Sequence, residues 1–112
     1  MSTVLYGLPN CDGTTEARRS LERNGIRFSF HDIRVNGMDA EKLRSWIQTA
    51  GWEKLLNKKS TTWKQLADQV KNISLDNATV HKLIIENITL MKRPVLEAGE
   101  TLMIGKEAVL KT

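Results

Sequence analysis

The run Thr3-Val4-Leu5-Tyr6-Gly7-Leu8-Pro9-Asn10-Cys11-Asp12-Gly13 decides the fold, because it passes from strand to turn within a few residues. Thr3 to Gly7 is rich in β-formers and closed by glycine, which suits a central strand near the start of the chain. Pro9, Asn10 and the Asp12-Gly13 step are turn residues, so the strand does not run on through them. Cys11 falls in that turn. From Thr14 to Asn24, Ala17 and Leu21 stand four apart, with Glu16, Arg18, Arg19, Glu22 and Arg23 facing outward. This predicts an amphipathic helix stopped by Asn24-Gly25. Ile26 to His31 then alternates apolar and polar residues, the period of a second strand. Strand, helix and strand joined this tightly imply a right-handed parallel βαβ unit.

Beyond this unit the pattern turns helical. Asp39 caps a helix carrying Leu43, Trp46, Ile47 and Ala50 before Gly51, and Trp52 to Leu56 adds a turn. Lys58 to Thr62 reads as an exposed loop, Trp63 to Val70 as a helix. Ser74 or Asp76 opens a further helix with Val80, Leu83, Ile84 and Ile88 on its buried face. After Arg93-Pro94, the runs Val95-Leu96-Glu97 and Thr101 to Ile104, split by Ala98-Gly99-Glu100, predict a hairpin, and Lys106 to Thr112 a closing helical turn. Trp46, Trp52 and Trp63 are read as core residues.

A chain of 112 residues with 40% apolar content buries one core, so a single domain over 1–112 is expected. No stretch approaches the roughly 20 apolar residues of a membrane span, and the start lacks a basic leader, so the expectation is a cytoplasmic protein without a membrane role. One cysteine excludes an internal disulfide and a thiolate metal cluster; no bound metal or organic cofactor is expected. The net charge of +4 is scattered, which favours small anions over nucleic acid as partners.

A thiol attacks as thiolate, and a free cysteine near pKa 8.5 is mostly protonated at neutral pH. Between a strand end and a helix start, unpaired N–H groups and the positive end of the helix dipole favour the anion. A small buried core cysteine is the plain alternative, and the polar setting of Asn10, Asp12 and Gly13 argues against it. Asp12 either opposes the thiolate by its charge or caps the helix. His31, at the same sheet edge as Cys11, reads as a turn hydrogen-bonding group rather than a base. Lys59 either approaches an anionic ligand or is a solvated loop charge.

With Leu5 to Cys11, Ala17-Arg18, His31-Asp32, Gly51-Trp52, Leu56-Asn57, Thr61-Thr62-Trp63 and Met91-Lys92-Arg93-Pro94-Val95-Leu96-Glu97, the chain resembles the ArsC (arsenate reductase-like) family, closest to its Spx/YffB branch. The resemblance implies an α/β, thioredoxin-like fold. Its four-stranded mixed sheet would carry a helical insertion, about residues 39–90, between βαβ and ββα halves. It also implies that Pro94 is cis and faces Cys11, which puts Arg93 near the sulfur. There a guanidinium can grip an anion and favour the thiolate. Spx-type members often place a second cysteine three residues after the first; here Thr14 stands there, so an external thiol must resolve any disulfide at Cys11. Glu16 stands where the family commonly has lysine, and the final hairpin has no arginine of the kind arsenate reductases use.

The expectation is a glutathione-dependent thiol oxidoreductase. Cys11 and Arg93 are its catalytic residues, and Asn10, Asp12, Gly13, Lys59 and Pro94 bind or shape the anion site. Its partners would be glutathione or glutaredoxin and a small disulfide or oxyanion substrate. The other class is a non-enzymatic Spx-like module that binds RNA polymerase.

Overall fold

The computed structural model describes residues 2–70 and 73–110, without the side chains of residues 67, 69, 109 and 110. The chain divides into two compact units, Met1–Gly37 with Arg93–Thr112, and Met38–Lys92.

The first unit holds β1 (Thr3–Gly7), α1 (Asp12–Arg23), β2 (Ser29–Asp32), β3 (Val95–Ala98), β4 (Thr101–Ile104) and α6 (Lys106–Leu110), the last numbered after the four helices of the second unit. The sheet order is β2-β1-β3-β4. β1 pairs parallel with β2 and antiparallel with β3, and β3 pairs antiparallel with β4, so the sheet is mixed as expected. One row of cross-strand partners, Phe30, Leu5, Leu96 and Met103, crosses all four strands. Alternation along each strand sends this row to one face, where Leu5 and Leu96 join Ala17 and Leu21 of α1 and Ala108 of α6 in a buried cluster.

The boundaries of α1 follow from its caps. It starts two residues before Thr14 because Cys11, extended at φ −94° and ψ 126°, takes the N-cap place. It ends at Arg23: the Gly25 amide donates to Glu22 O at 3.1 Å, and the φ of 65° at Gly25 turns the chain so that the Ile26 amide reaches Leu21 O at 3.0 Å. That use of the Ile26 amide corrects the second strand: Ile26 is 40% exposed and β2 begins only at Ser29. Lys111 and Thr112 of the expected last turn lie outside the described residues.

The second unit comprises α2 (Ala40–Ala50), α3 (Trp52–Leu55), α4 (Thr61–Val70), α5 (Asn77–Glu86) and a 3-10 turn (Ile88–Leu90). Asp39 caps α2 by accepting from the Lys42 amide at 3.0 Å, and Asp76 caps α5 by accepting from the Thr79 amide at 2.8 Å. Leu43, Trp46, Ile47, Leu55, Val80, Ile84 and Leu90 are buried. Ser60 Oγ accepts from the Trp63 amide at 3.1 Å, so α4 opens at Thr61 and takes in two residues expected to be loop. Trp46 is buried, but Trp52 and Trp63 are only half-buried, which corrects their reading as core. Both lie beside Lys58 Nζ, 5.6 and 5.8 Å from their ring centroids, where an ammonium and a π-face attract.

Candidate functional site

Leu8 to Cys11 closes a tight turn in which the Cys11 amide donates to Leu8 O at 3.2 Å. Cys11 O in turn accepts from the Thr15 amide at 2.9 Å and from Thr15 Oγ1 at 3.1 Å, fixing the cysteine backbone to the first turn of α1. The thiol is half-buried. An N-cap residue ordinarily offers its side chain to the amides of the first turn, and the Cys11 side chain makes no cap hydrogen bond of good geometry to them. A sulfur that loses its proton becomes the missing acceptor.

Two residues are placed to favour that loss. Burial pushes the thiol up; against it act, in decreasing order, the Thr14 hydroxyl, the Thr14 amide, and Arg93 by hydrogen bond and then by charge. The balance holds Cys11 below its ordinary value. Thr14 is fully buried, and its Oγ1 has no partner of good hydrogen-bond geometry, so the anionic sulfur gives a stranded hydroxyl somewhere to donate.

Arg93 precedes Pro94 across a cis peptide bond, and β3 pairing with β1 returns this step to the cysteine turn. The approach is close. A Cβ on Gly13 would lie 3.3 Å from Pro94 Cδ and 3.5 Å from Arg93 O, so glycine is what lets the buried proline pack against the start of α1. Gly13 and Pro94 thus lie against each other at the start of α1.

The remaining expected residues take quieter places. Asn10 is exposed in the turn, and Asp12 is exposed in the first turn of α1, one residue inside the N-cap place that Cys11 takes, so of its two readings the cap is not realised. Lys59 is an exposed residue of the second unit, its amide donating to Asn57 Oδ1 at 3.1 Å. His31 is bonded through Nε2 to Gly37 O at 2.7 Å, and its ring lies 4.9 Å from the Tyr6 ring, tilted to it by 44°. Asp32 Oδ1 accepts from the Arg34 and Val35 amides, so the His31-Asp32 step organises a turn, as its composition predicts. Thr14 is the residue that sequence reasoning missed as a contributor; its signal was the position three residues inside the cap, where an amide and a hydroxyl both reach the cap side chain. Among the described residues no three His, Cys, Asp or Glu converge as metal ligands, and no helix is long and apolar enough to cross a membrane.

Residues 6–109 match the ArsC family. The chain belongs to the ArsC family. Among solved ArsC-like structures, the YffB protein is 36% identical with a TM-score of 0.87, covering 93% of this chain and 90% of its own. An arsenate reductase (ArsC) related protein from Brucella melitensis is 41% identical with a TM-score of 0.76, covering 94% of this chain and 87% of its own. The global transcriptional regulator Spx 2 of Bacillus anthracis is 29% identical over 91% of this chain and 78% of its own length. The expected thioredoxin-like α/β fold and the placement near the YffB and Spx members of the ArsC family both stand.

Proposed function

We propose that this ArsC-family protein is a glutathione-dependent thiol reductase in which Cys11 is the nucleophile. The observation that carries the reading is the sulfur at the N-cap of α1, held below its ordinary pKa by Thr14 and Arg93. In the first step the Cys11 thiolate attacks one sulfur of a disulfide R–S–S–R′; the Cys11–S–S–R bond forms, the old S–S bond breaks, and R′S⁻ departs. Glutathione thiolate then attacks the R sulfur, giving G–S–S–R and returning Cys11 as thiolate. R′ leaves as its thiol, R leaves as its mixed disulfide with glutathione, and the protein is unchanged. A second glutathione thiolate then attacks the glutathione sulfur of G–S–S–R in solution, giving oxidised glutathione and RS⁻, which completes the reduction. A glutathionylated substrate fits the same scheme, releasing oxidised glutathione; glutaredoxin can stand in for the external thiol. Arg93 orients the anionic part of the substrate, and Asn10, Asp12, Gly13 and Pro94 shape the wall around the sulfur.

Incubating the protein with oxidised glutathione and weighing it tests this. The expected product is one glutathione adduct on Cys11, removed by reduced glutathione; a chain that stays unmodified at neutral pH rejects the reading.

The similarity to a global transcriptional regulator favours a second reading, a non-enzymatic module that binds RNA polymerase. With Thr14 at the place of a second cysteine, such a module would lack an internal disulfide switch. Retention of RNA polymerase on the immobilised protein, without turnover of glutathionylated substrate, selects it.

A further inference from the structure

Gly7, the last residue of β1, is buried directly under α1. A Cβ there would collide with Thr14 Oγ1 and lie 2.8 Å from Thr14 Cγ2. The bare strand end is therefore the space that Thr14 occupies. Thr14 is fully buried, its hydroxyl has no hydrogen-bond partner, and it stands in the first turn of the helix that Cys11 caps, three residues on, where an N-cap side chain and the third helical residue meet. A hydroxyl buried without an acceptor is costly, and few residues are kept that way without a use.

We propose that Thr14 is a positioning residue for the release half of the reaction, its hydroxyl, seated by Gly7, donating to Cys11 sulfur as that sulfur departs from a mixed disulfide. The inference rests on Cys11 being the reacting thiol. In the step RS⁻ + Cys11–S–S–G → R–S–S–G + Cys11–S⁻, the new S–S bond forms as the old one breaks and negative charge passes to the Cys11 sulfur. A disulfide sulfur is a poor acceptor and a thiolate a strong one, so the Thr14 hydrogen bond strengthens as the bond breaks. A better-stabilised thiolate leaves faster. Thr14 thus does for an external thiol what a neighbouring cysteine would otherwise do by attacking the disulfide itself.

The test is made on the full chain carrying glutathione on Cys11, with release by reduced glutathione and by dithiothreitol followed in time, alongside the pH dependence of iodoacetamide alkylation. Thr14→Val keeps the shape and removes the hydroxyl. The expected result is an alkylation midpoint higher by roughly one pH unit and a release roughly threefold slower with either thiol, both restored in Thr14→Ser. Should Thr14→Val fail to fold, Thr14→Ala against Thr14→Ser differ by the same hydroxyl and should show the same contrast. A folded hydroxyl-free variant with wild-type midpoint and release overturns the proposal, as does Thr14→Ser behaving like Thr14→Ala. If dithiothreitol release shows the contrast while glutathione releases nothing from the wild type, Thr14 keeps its role and the glutathione dependence falls instead.

Discussion

Cys11 stands between opposed influences, and their order of size says which substitutions matter. Burial raises the thiol, and the Thr14 and Arg93 groups together overcome it. Arg93→Ala should therefore move the alkylation midpoint upward and slow alkylation at pH 7 by roughly threefold, and Arg93→Lys should recover part of the charge but not the planar fork. The same balance sets a pH dependence of stability. Because the folded thiol titrates below the unfolded one, its contribution is complete above the unfolded value near pKa 8.5 and is lost as pH falls through the folded value. Melting temperatures of wild type and Cys11→Ala should then converge on acidification and separate as pH rises through that window, in favour of the wild type. Gly13→Ala probes the wall by itself. Alanine favours the helix, while its Cβ presses Pro94 Cδ from 3.3 Å, so stability should change little while the alkylation midpoint rises as the Arg93-Pro94 step is displaced. The turn around Cys11 is legible in the sequence because Pro9, Asn10 and Gly13 are local signals. The part played by Thr14 is not, since its burial depends on Gly7 having no side chain, a contact made through space between a strand and a helix.

At the scale of the element, end signals read well wherever a single side chain makes the cap. Asp39 and Asp76 do what their residue type predicts. Asp39→Ala should cost about 1 kcal/mol, read from the denaturation midpoint at unchanged slope. Asp76 is held below the usual carboxylate range by the Thr79 amide and then the Thr79 hydroxyl. Its cap is complete above the ordinary carboxylate pKa and lost as pH falls through the folded one, so Asp76→Asn should flatten the acid limb of the stability curve. Boundaries are misread where one group serves two elements. Ile26 looks like the start of a strand by alternation, yet its amide closes α1, and the strand waits until Ser29. Thr61 and Thr62 look like loop by composition, yet Ser60 turns them into the first turn of α4. Trp52 and Trp63 fall at helical positions, and what periodicity does not reveal is that Lys58 lies against both rings.

For the whole molecule, the βαβ and hairpin pieces are legible separately, and the resemblance supplies their order in one sheet. Pairing across long sequence separation is what no local pattern carries: β1 lies between β2 and β3, and Leu5 stands in the row that links all four strands. Leu5 is fully buried in that row, so Leu5→Ala should lose about 3 kcal/mol and lower the melting temperature by several degrees. Native-state hydrogen exchange should find the β1 amides among the slowest, since both edges of that strand are paired. The register of β1 on β3, with Tyr6 opposite Val95, also governs when Arg93 reaches the cysteine turn. During synthesis the sulfur emerges from the ribosome early and its guanidinium late. Until β3 is delivered the growing polypeptide has the Thr14 groups of α1 but lacks the Arg93 share of what favours the thiolate.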